Sequence, residues 1–160
     1  MNNVTNLSEH FTLAELTKTN TRIENVPNEA QVKNLKRLCG WLEMLREEYN
    51  KRYSLPLAPS EGKGEYEQPI IINSGYRSPA VNKAVGGVAT SNHLTGCAVD
   101  IRVLGMEQLL RYAVILLDIS DESQEDFDEL LLERNTKGTY WLHFAVRPEG
   151  NRRKIRLIAC

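Results

Sequence analysis

The spacing of apolar residues separates a helical N-terminal part of the chain from a strand-rich C-terminal part. Between residues 28 and 53, apolar side chains recur every three or four positions, which is typical of a helix packed on one side. Asn28 stands at the N-cap position, and Gln31 follows three residues later as in a capping box. A second amphipathic helix is predicted over residues 105–119, and shorter helices are predicted over residues 8–19 and 78–87.

Short apolar or alternating runs predict the strands. They cover residues 70–73, 96–103, 127–133, 139–146 and 153–159, and a loop rich in Pro, Gly and charge is predicted over residues 55–69. Helices followed by strands indicate an α+β fold, here with a mostly antiparallel sheet backed by helices. The length of 160 residues predicts a single domain over residues 1–160.

Charge and cysteine content exclude several classes of protein. The net charge of −1 provides no basic field for nucleic acid or an anionic membrane, and the basic stretch at residues 147–156 is interpreted as a solvated hairpin. Three cysteines without a CxxC pair exclude a thiolate zinc knuckle and argue against a disulfide framework. Neither a signal peptide nor a membrane-spanning run is visible, so we expect the protein to be cytoplasmic as synthesised. We also expect a monomer.

Alternation along the strands places three polar residues on one face of the sheet. Asp100, Glu133 and His143 fall on the face opposite the apolar one, and His93 lies in the loop that leads to the strand of Asp100. Glu129 shares the face of Glu133. The apolar positions of the same strands, which we expect to pack on the helices, are Val99, Ile101, Leu130, Leu132, Leu142 and Phe144.

His93, Asp100 and His143 provide two imidazoles and one carboxylate, a ligand set that suits catalytic zinc with one position left open. Glu133 could then act as a base beside the metal. Each histidine alone is also compatible with an ordinary hydrogen-bonding role, whereas an aspartate in mid-strand is costly to bury without a partner. From the residues alone, a metal site and a coincidence of polar positions both remain open.

The stretch "SNHLTGCAVD", residues 91–100, resembles the S-x-H-x-x-G-x-A-x-D motif of the zinc D-Ala-D-Ala carboxypeptidase family. This family has the hedgehog/DD-peptidase fold, and it includes D,D-carboxypeptidases, vancomycin-resistance dipeptidases and phage L-alanyl-D-glutamate endolysins. "SGYRS" at residues 74–78, "FDELLLE" at residues 127–133 and "WLH" at residues 141–143 are similar to further segments of the family, in the same order. The resemblance covers a core of about residues 9–147, followed by a C-terminal strand to residue 160.

The resemblance implies that His93, Asp100 and His143 bind Zn²⁺. It also implies that Glu133 is the general base and acid, although the polar turn before His143 is longer than in the dipeptidases and keeps Glu129 as an alternative. Glu133 is preferred because it ends its strand, where a hairpin can fold it over the metal.

Two further residues receive roles from the resemblance. Arg77 would bind a substrate carboxylate or the carbonyl oxygen under attack, and Ser91 would bind the substrate backbone. The function implied is a peptidase that hydrolyses amide bonds in peptidoglycan stem peptides, as a D-Ala-D-Ala carboxypeptidase or an endolysin-like endopeptidase. We therefore expect a bacterial or phage protein that is delivered to the cell wall. The alternatives are a non-catalytic zinc-binding module of the same fold, acting as a phage structural or cell-surface protein, and a metal-free α+β domain.

Overall fold

The computed structural model of the protein describes residues 4–56 and 65–159. Within these ranges the helices are α1 (Leu13–Thr17), α2 (Glu29–Tyr53), α3 (Pro79–Ala84), a 3-10 helix (Asn92–Thr95) and α4 (Met106–Ser123). The strands are β1 (Leu55–Pro56), β2 (Glu65–Tyr66), β3 (Ile72–Ser74), β4 (Ala98–Arg102), β5 (Glu129–Arg134), β6 (Tyr140–Ala145) and β7 (Lys154–Ala159). No helix in the described ranges is long and apolar enough to cross a membrane.

Helices α1, α2 and α3 each begin after a residue whose side chain caps the first turn. Asn28 accepts a hydrogen bond from the backbone of Gln31 at 2.9 Å, and the Gln31 side chain accepts one from the backbone of Asn28 at 2.8 Å. Thr12 and Ser78 cap α1 and α3 in the same way, through their hydroxyl oxygens. These local contacts satisfy backbone donors that a helix leaves unpaired at its first turn.

Five strands form one sheet in the order β3-β4-β6-β5-β7. All neighbouring pairs are antiparallel except β5 and β7, which are parallel. Helices α2 and α4 cover one face, where Trp41 of α2 packs on Phe144 of β6 with ring centroids 5.4 Å apart. The α+β fold with a mostly antiparallel sheet is therefore confirmed.

The C-terminal basic stretch does not form a hairpin, so that interpretation was wrong. A hairpin would pair β7 with β6, but β7 lies on the other side of β5 and parallel to it. The end of β6 and the start of β7 both pair with the start of β5, on opposite sides of it. Residues 147–154 therefore lie next to Asp128 and Glu129.

Other differences from the predicted elements are local. Strand β3 covers residues 72–74 rather than 70–73, and its register with β4 shifts between Ile72 and Ser74. Within the predicted loop at residues 55–69, β1 pairs with β2, and residues 57–64 lie outside the described ranges. Helix α4 continues to Ser123 and ends at Gln124, which has a left-handed φ of 61°.

The two faces of the sheet differ as the alternation predicts. Val99, Ile101, Leu130, Leu142 and Phe144 are completely buried against the helices. Asp100, Glu129, Glu133 and His143 occupy the alternate positions of the same strands and line a cavity on the opposite face. The prediction that these polar residues lie on the face opposite the helices is thus confirmed.

Candidate metal centre

Strand pairing and a short helix bring the three candidate ligands together. Strands β4 and β6 pair so that Asp100 is directly opposite His143, and neighbours of this kind are close enough for their side chains to meet. His93 lies in the 3-10 helix that precedes β4, where a loop was expected. The helix ends at Gly96, whose φ of +73° and contact with the backbone of Gln31 leave no room for a side chain.

The ligand atoms converge on one point. His93 Nε2 lies 3.3 Å from Asp100 Oδ2, and His143 Nδ1 lies 3.0 Å from Asp100 Oδ1. One ligand atom from each of the three residues can be chosen so that all lie within 4.8 Å of one another. Two nitrogens and a carboxylate oxygen at this spacing fit a zinc ion with an open coordination position.

Outer hydrogen bonds direct the free nitrogen of each imidazole toward this point. His93 Nδ1 lies 2.7 Å from the carbonyl oxygen of Gly75, so it donates its proton there and leaves the lone pair on Nε2. His143 Nε2 lies 3.1 Å from Glu129 Oε2, so in the neutral ring Nε2 carries the proton and Nδ1 offers the lone pair. Metal-binding histidines usually have outer partners of this kind.

The charges around the centre favour a cation. Burial lowers the pKa of His143, but the hydrogen bonds to Asp100 and Glu129 outweigh it and raise the pKa to about 9. Burial raises the pKa of Asp100, yet His93 and His143 more than compensate and hold it well below its usual range. The Arg77 Nη2 group also donates to Asp100 Oδ2 at 2.8 Å, and its Nε donates to Ser74. Asp100 is therefore ionised and fixed in position.

Glu129 and Glu133 have different environments although they share a face. The hydrogen bond to His143 lowers the pKa of Glu129, and Lys154 and Asn92 lower it further against the effect of burial. Burial raises the pKa of Glu133 above its usual value, although His143 and a hydrogen bond from Trp141 act in the opposite direction. Glu133 therefore binds a proton more firmly than an exposed glutamate, whereas the partners of Glu129 favour its ionised form.

The centre opens into a cavity of about 750 Å³. Arg77, Glu133 and Ser91 line it together with the three candidate ligands, so the structure brings all the predicted site residues to one place. The hydroxyl of Ser91 accepts a hydrogen bond from the backbone of His93 at 3.2 Å and thereby caps the 3-10 helix. The roles assigned to these residues stay predictions.

Sequence reasoning missed a second group of residues in the cavity. Arg147, Arg152 and Lys154 line it from the basic stretch. They contact Asp128 and Glu129, at the start of β5. Two adjacent acids before an apolar strand and a later run of cations were the available signal, but nothing local indicated that the two segments meet.

A His-Asp-His group at the open face of a helix-backed sheet is the kind of site that metallopeptidases use to hold a catalytic metal. Residues 60–116 match the family model described as Peptidase M15, and this segment contains Arg77, Ser91, His93 and Asp100. The match confirms the resemblance to the zinc D-Ala-D-Ala carboxypeptidase-like peptidases. No curated protein matches the chain.

Proposed function

We propose that the protein is a zinc-dependent peptidase that hydrolyses amide bonds in peptidoglycan stem peptides. The observation that carries this proposal is a separate, partly buried carboxylate, Glu133, in the same cavity as the three candidate ligands. A site that only held a metal would need no such group, whereas hydrolysis needs a base near the attacking water.

His93, Asp100 and His143 would hold the zinc ion. Bound zinc would supply a Lewis acid that lowers the pKa of water and polarises the amide carbonyl. Glu133 accepts the proton of the attacking water and returns it to the nitrogen of the departing amine, so the leaving group departs as a neutral amine. The raised pKa of Glu133 suits both transfers, because such a carboxylate binds a proton more firmly than an exposed one.

Arg77 and Ser91 would position the substrate. Arg77 is held by Asp100 and Ser74 through two of its nitrogens, and its Nη1 has no hydrogen-bond partner among the described residues. That group can donate to a peptide oxygen as negative charge develops on it. Ser91 lines the same cavity and can bind the peptide backbone.

We further propose that the peptide bond cut is flanked by a D-amino acid, as in a D,D-carboxypeptidase or an endolysin-like endopeptidase. The family match and the open cavity support this class of substrate. A monomer delivered to the cell wall is sufficient for this activity, because one chain supplies every residue named.

Digestion of purified peptidoglycan and defined muropeptides tests the proposal. We expect the zinc-loaded protein to release new amino termini or D-alanine, which mass spectrometry of the fragments would assign to one bond. A chelator should stop the reaction and added zinc should restore it. The Glu133→Gln variant should bind zinc without cleaving. If the zinc-loaded protein releases nothing, the enzyme proposal fails, and retained zinc would then favour the non-catalytic module.

A further inference from the structure

Three cations form one side of the cavity next to the metal centre. Arg147, Arg152 and Lys154, here called the basic wall, come from the connection after β6 and the first residue of β7. Arg77 lies on the other side of the metal centre, at the β3 end of the sheet. A substrate in the cavity would therefore meet positive groups at both ends.

Two carboxylates, those of Asp128 and Glu129, fix the basic wall in place. Arg152 donates to Asp128 from Nε at 2.9 Å and from Nη2 at 2.8 Å, and Lys154 Nζ donates to Glu129 at 3.1 Å. Asp128 is completely buried. Three cations face two carboxylates, so the wall keeps an excess of one positive charge. Because the side chains are already held, a ligand would bind at a lower entropic cost.

Arg147 has donors left for a ligand. Its Nε donates to Asn92 Oδ1 at 3.0 Å and lies 3.1 Å from Asp128 Oδ2. In the described ranges, residues 4–56 and 65–159, neither terminal nitrogen of Arg147 has a hydrogen-bond partner, and the side chain is 33% exposed. A guanidinium anchored through Nε with both terminal nitrogens free has the planar geometry that binds a carboxylate with two hydrogen bonds.

Asn92 connects Arg147 to the metal centre. Its Nδ2 group donates to Asp128 at 2.7 Å and to Glu129 at 3.1 Å, and Glu129 accepts in turn from His143. Asn92 also precedes His93 in the 3-10 helix. Three hydrogen bonds in series therefore join Arg147 to His143, and both residues line the same cavity.

We propose that Arg147, supported by Arg152 and Lys154, binds a carboxylate of the substrate next to the scissile amide. The inference rests on the proposed function, since it concerns which peptides that site accepts. A carboxylate of this kind comes either from the C-terminus of the peptide or from the free carboxyl group of an acidic residue. The chemistry recognised is the same, and the experiment distinguishes the sources.

Binding to a zinc-loaded Glu133→Gln protein provides the test, because this variant should hold the peptide without cleaving it. The probes are synthetic stem pentapeptides ending in D-Ala-D-Ala, with the C-terminal carboxylate free or amidated and with the glutamyl carboxylate free or amidated. Calorimetry should show that one of the two amidations weakens binding roughly 10- to 100-fold, as expected for a charge-assisted hydrogen bond. That amidation identifies the source of the carboxylate.

Substitution of Arg147 should remove this preference. In the Glu133→Gln background, Arg147→Gln should bind the free and amidated peptides within about twofold of each other, and Arg147→Lys should keep part of the difference. Arg153→Gln is the matched control. It removes one positive charge from the same segment, but Arg153 contacts Ser120, Asp121 and Asp126 rather than the cavity. It should leave the preference unchanged.

The inference is overturned if neither amidation weakens binding, or if Arg147→Gln keeps the full preference while its thermal unfolding matches that of the parent. Its failure differs from failure of the proposed function. Cleavage by the protein with Glu133 intact, without any carboxylate preference, would remove the inference alone. If the protein prefers the free carboxylate but cleaves nothing, the proposed peptidase activity is rejected and the proposed carboxylate-binding site is retained.

Discussion

Glu129 Oε2 lies 3.1 Å from Nε2 of His143, on the opposite side of the ring from Asp100. This contact distinguishes Glu129 from Glu133, although the sequence places both glutamates on one face of the same strand. Glu129 holds the ring so that Nδ1 faces the candidate metal, and Glu133 stays available for proton transfer. We therefore propose that Glu133 is the base and that Glu129 is a positioning residue.

Replacement of Glu129 should weaken metal binding. The Glu129→Ala variant loses the acceptor that orients His143, and removal of such outer partners costs roughly 10- to 100-fold in metal affinity. Glu129→Gln should lose less, because its amide oxygen can still accept from Nε2. Competition with a chromophoric chelator would measure the zinc affinity of each protein. An alanine variant that binds zinc as tightly as the parent would contradict the positioning role.

Replacement of Glu133 should reduce catalysis and leave zinc affinity nearly unchanged. Glu133→Gln removes the proton acceptor but none of the three candidate ligands, so kcat should fall by about 100-fold or more while zinc affinity changes little. Activity on muropeptides and the chelator competition should be measured on the same preparation. Equal losses of kcat and zinc affinity would instead mean that Glu133 supports the metal centre.

Local signals accounted for the parts of the fold that depend on neighbouring residues. Asn28 with Gln31 marks the start of α2, because a cap is made within a single helical turn. Alternation in β4, β5 and β6 identified the face of the site, because side chains of a strand point to opposite faces in turn.

Partners from distant segments could not be predicted in this way. The alternation that places Glu129 and Glu133 on one face says nothing of which one meets His143, since that depends on the register of β5 with β6. Arg147 and Arg152 reach Asp128 only because β7 pairs in parallel with β5, and a parallel pairing leaves no turn signal in the sequence.

A side chain at residue 75 should damage both stability and metal binding. A Cβ on Gly75 would collide with the backbone oxygen of Leu16, which accepts a hydrogen bond from Tyr76, and the Gly75 carbonyl itself orients His93. We expect Gly75→Ala to reduce the free energy of unfolding by about 1–3 kcal/mol and to lower zinc affinity. Urea denaturation and chelator competition would measure the two effects.

The control for this substitution is Gly40→Ala on helix α2. A Cβ at Gly40 meets nothing within 4 Å, and the position is exposed. Alanine is the better helix former, so this variant should gain up to about 1 kcal/mol. If Gly75→Ala were as stable as the parent and bound zinc equally well, the contact with Leu16 would not constrain the site.

Asp128 should link stability to pH. Burial raises its pKa, but Arg152, Asn92 and Arg147 outweigh this and hold it below the usual value, so its ionised form stabilises the folded protein. That contribution is complete above about pH 4, the carboxyl pKa of an unfolded chain, and is lost as the pH falls further. Asp128→Asn should therefore lower the free energy of unfolding by about 2 kcal/mol near pH 7, as for the loss of a hydrogen bond to a charged group. The difference from the parent should shrink toward pH 3 in urea denaturation. Asp126→Asn, which breaks an exposed pair with Arg153, should cost less than about 1 kcal/mol. Parallel pH curves for the parent and Asp128→Asn would contradict this prediction, because the charge of Asp128 would then contribute nothing to folding.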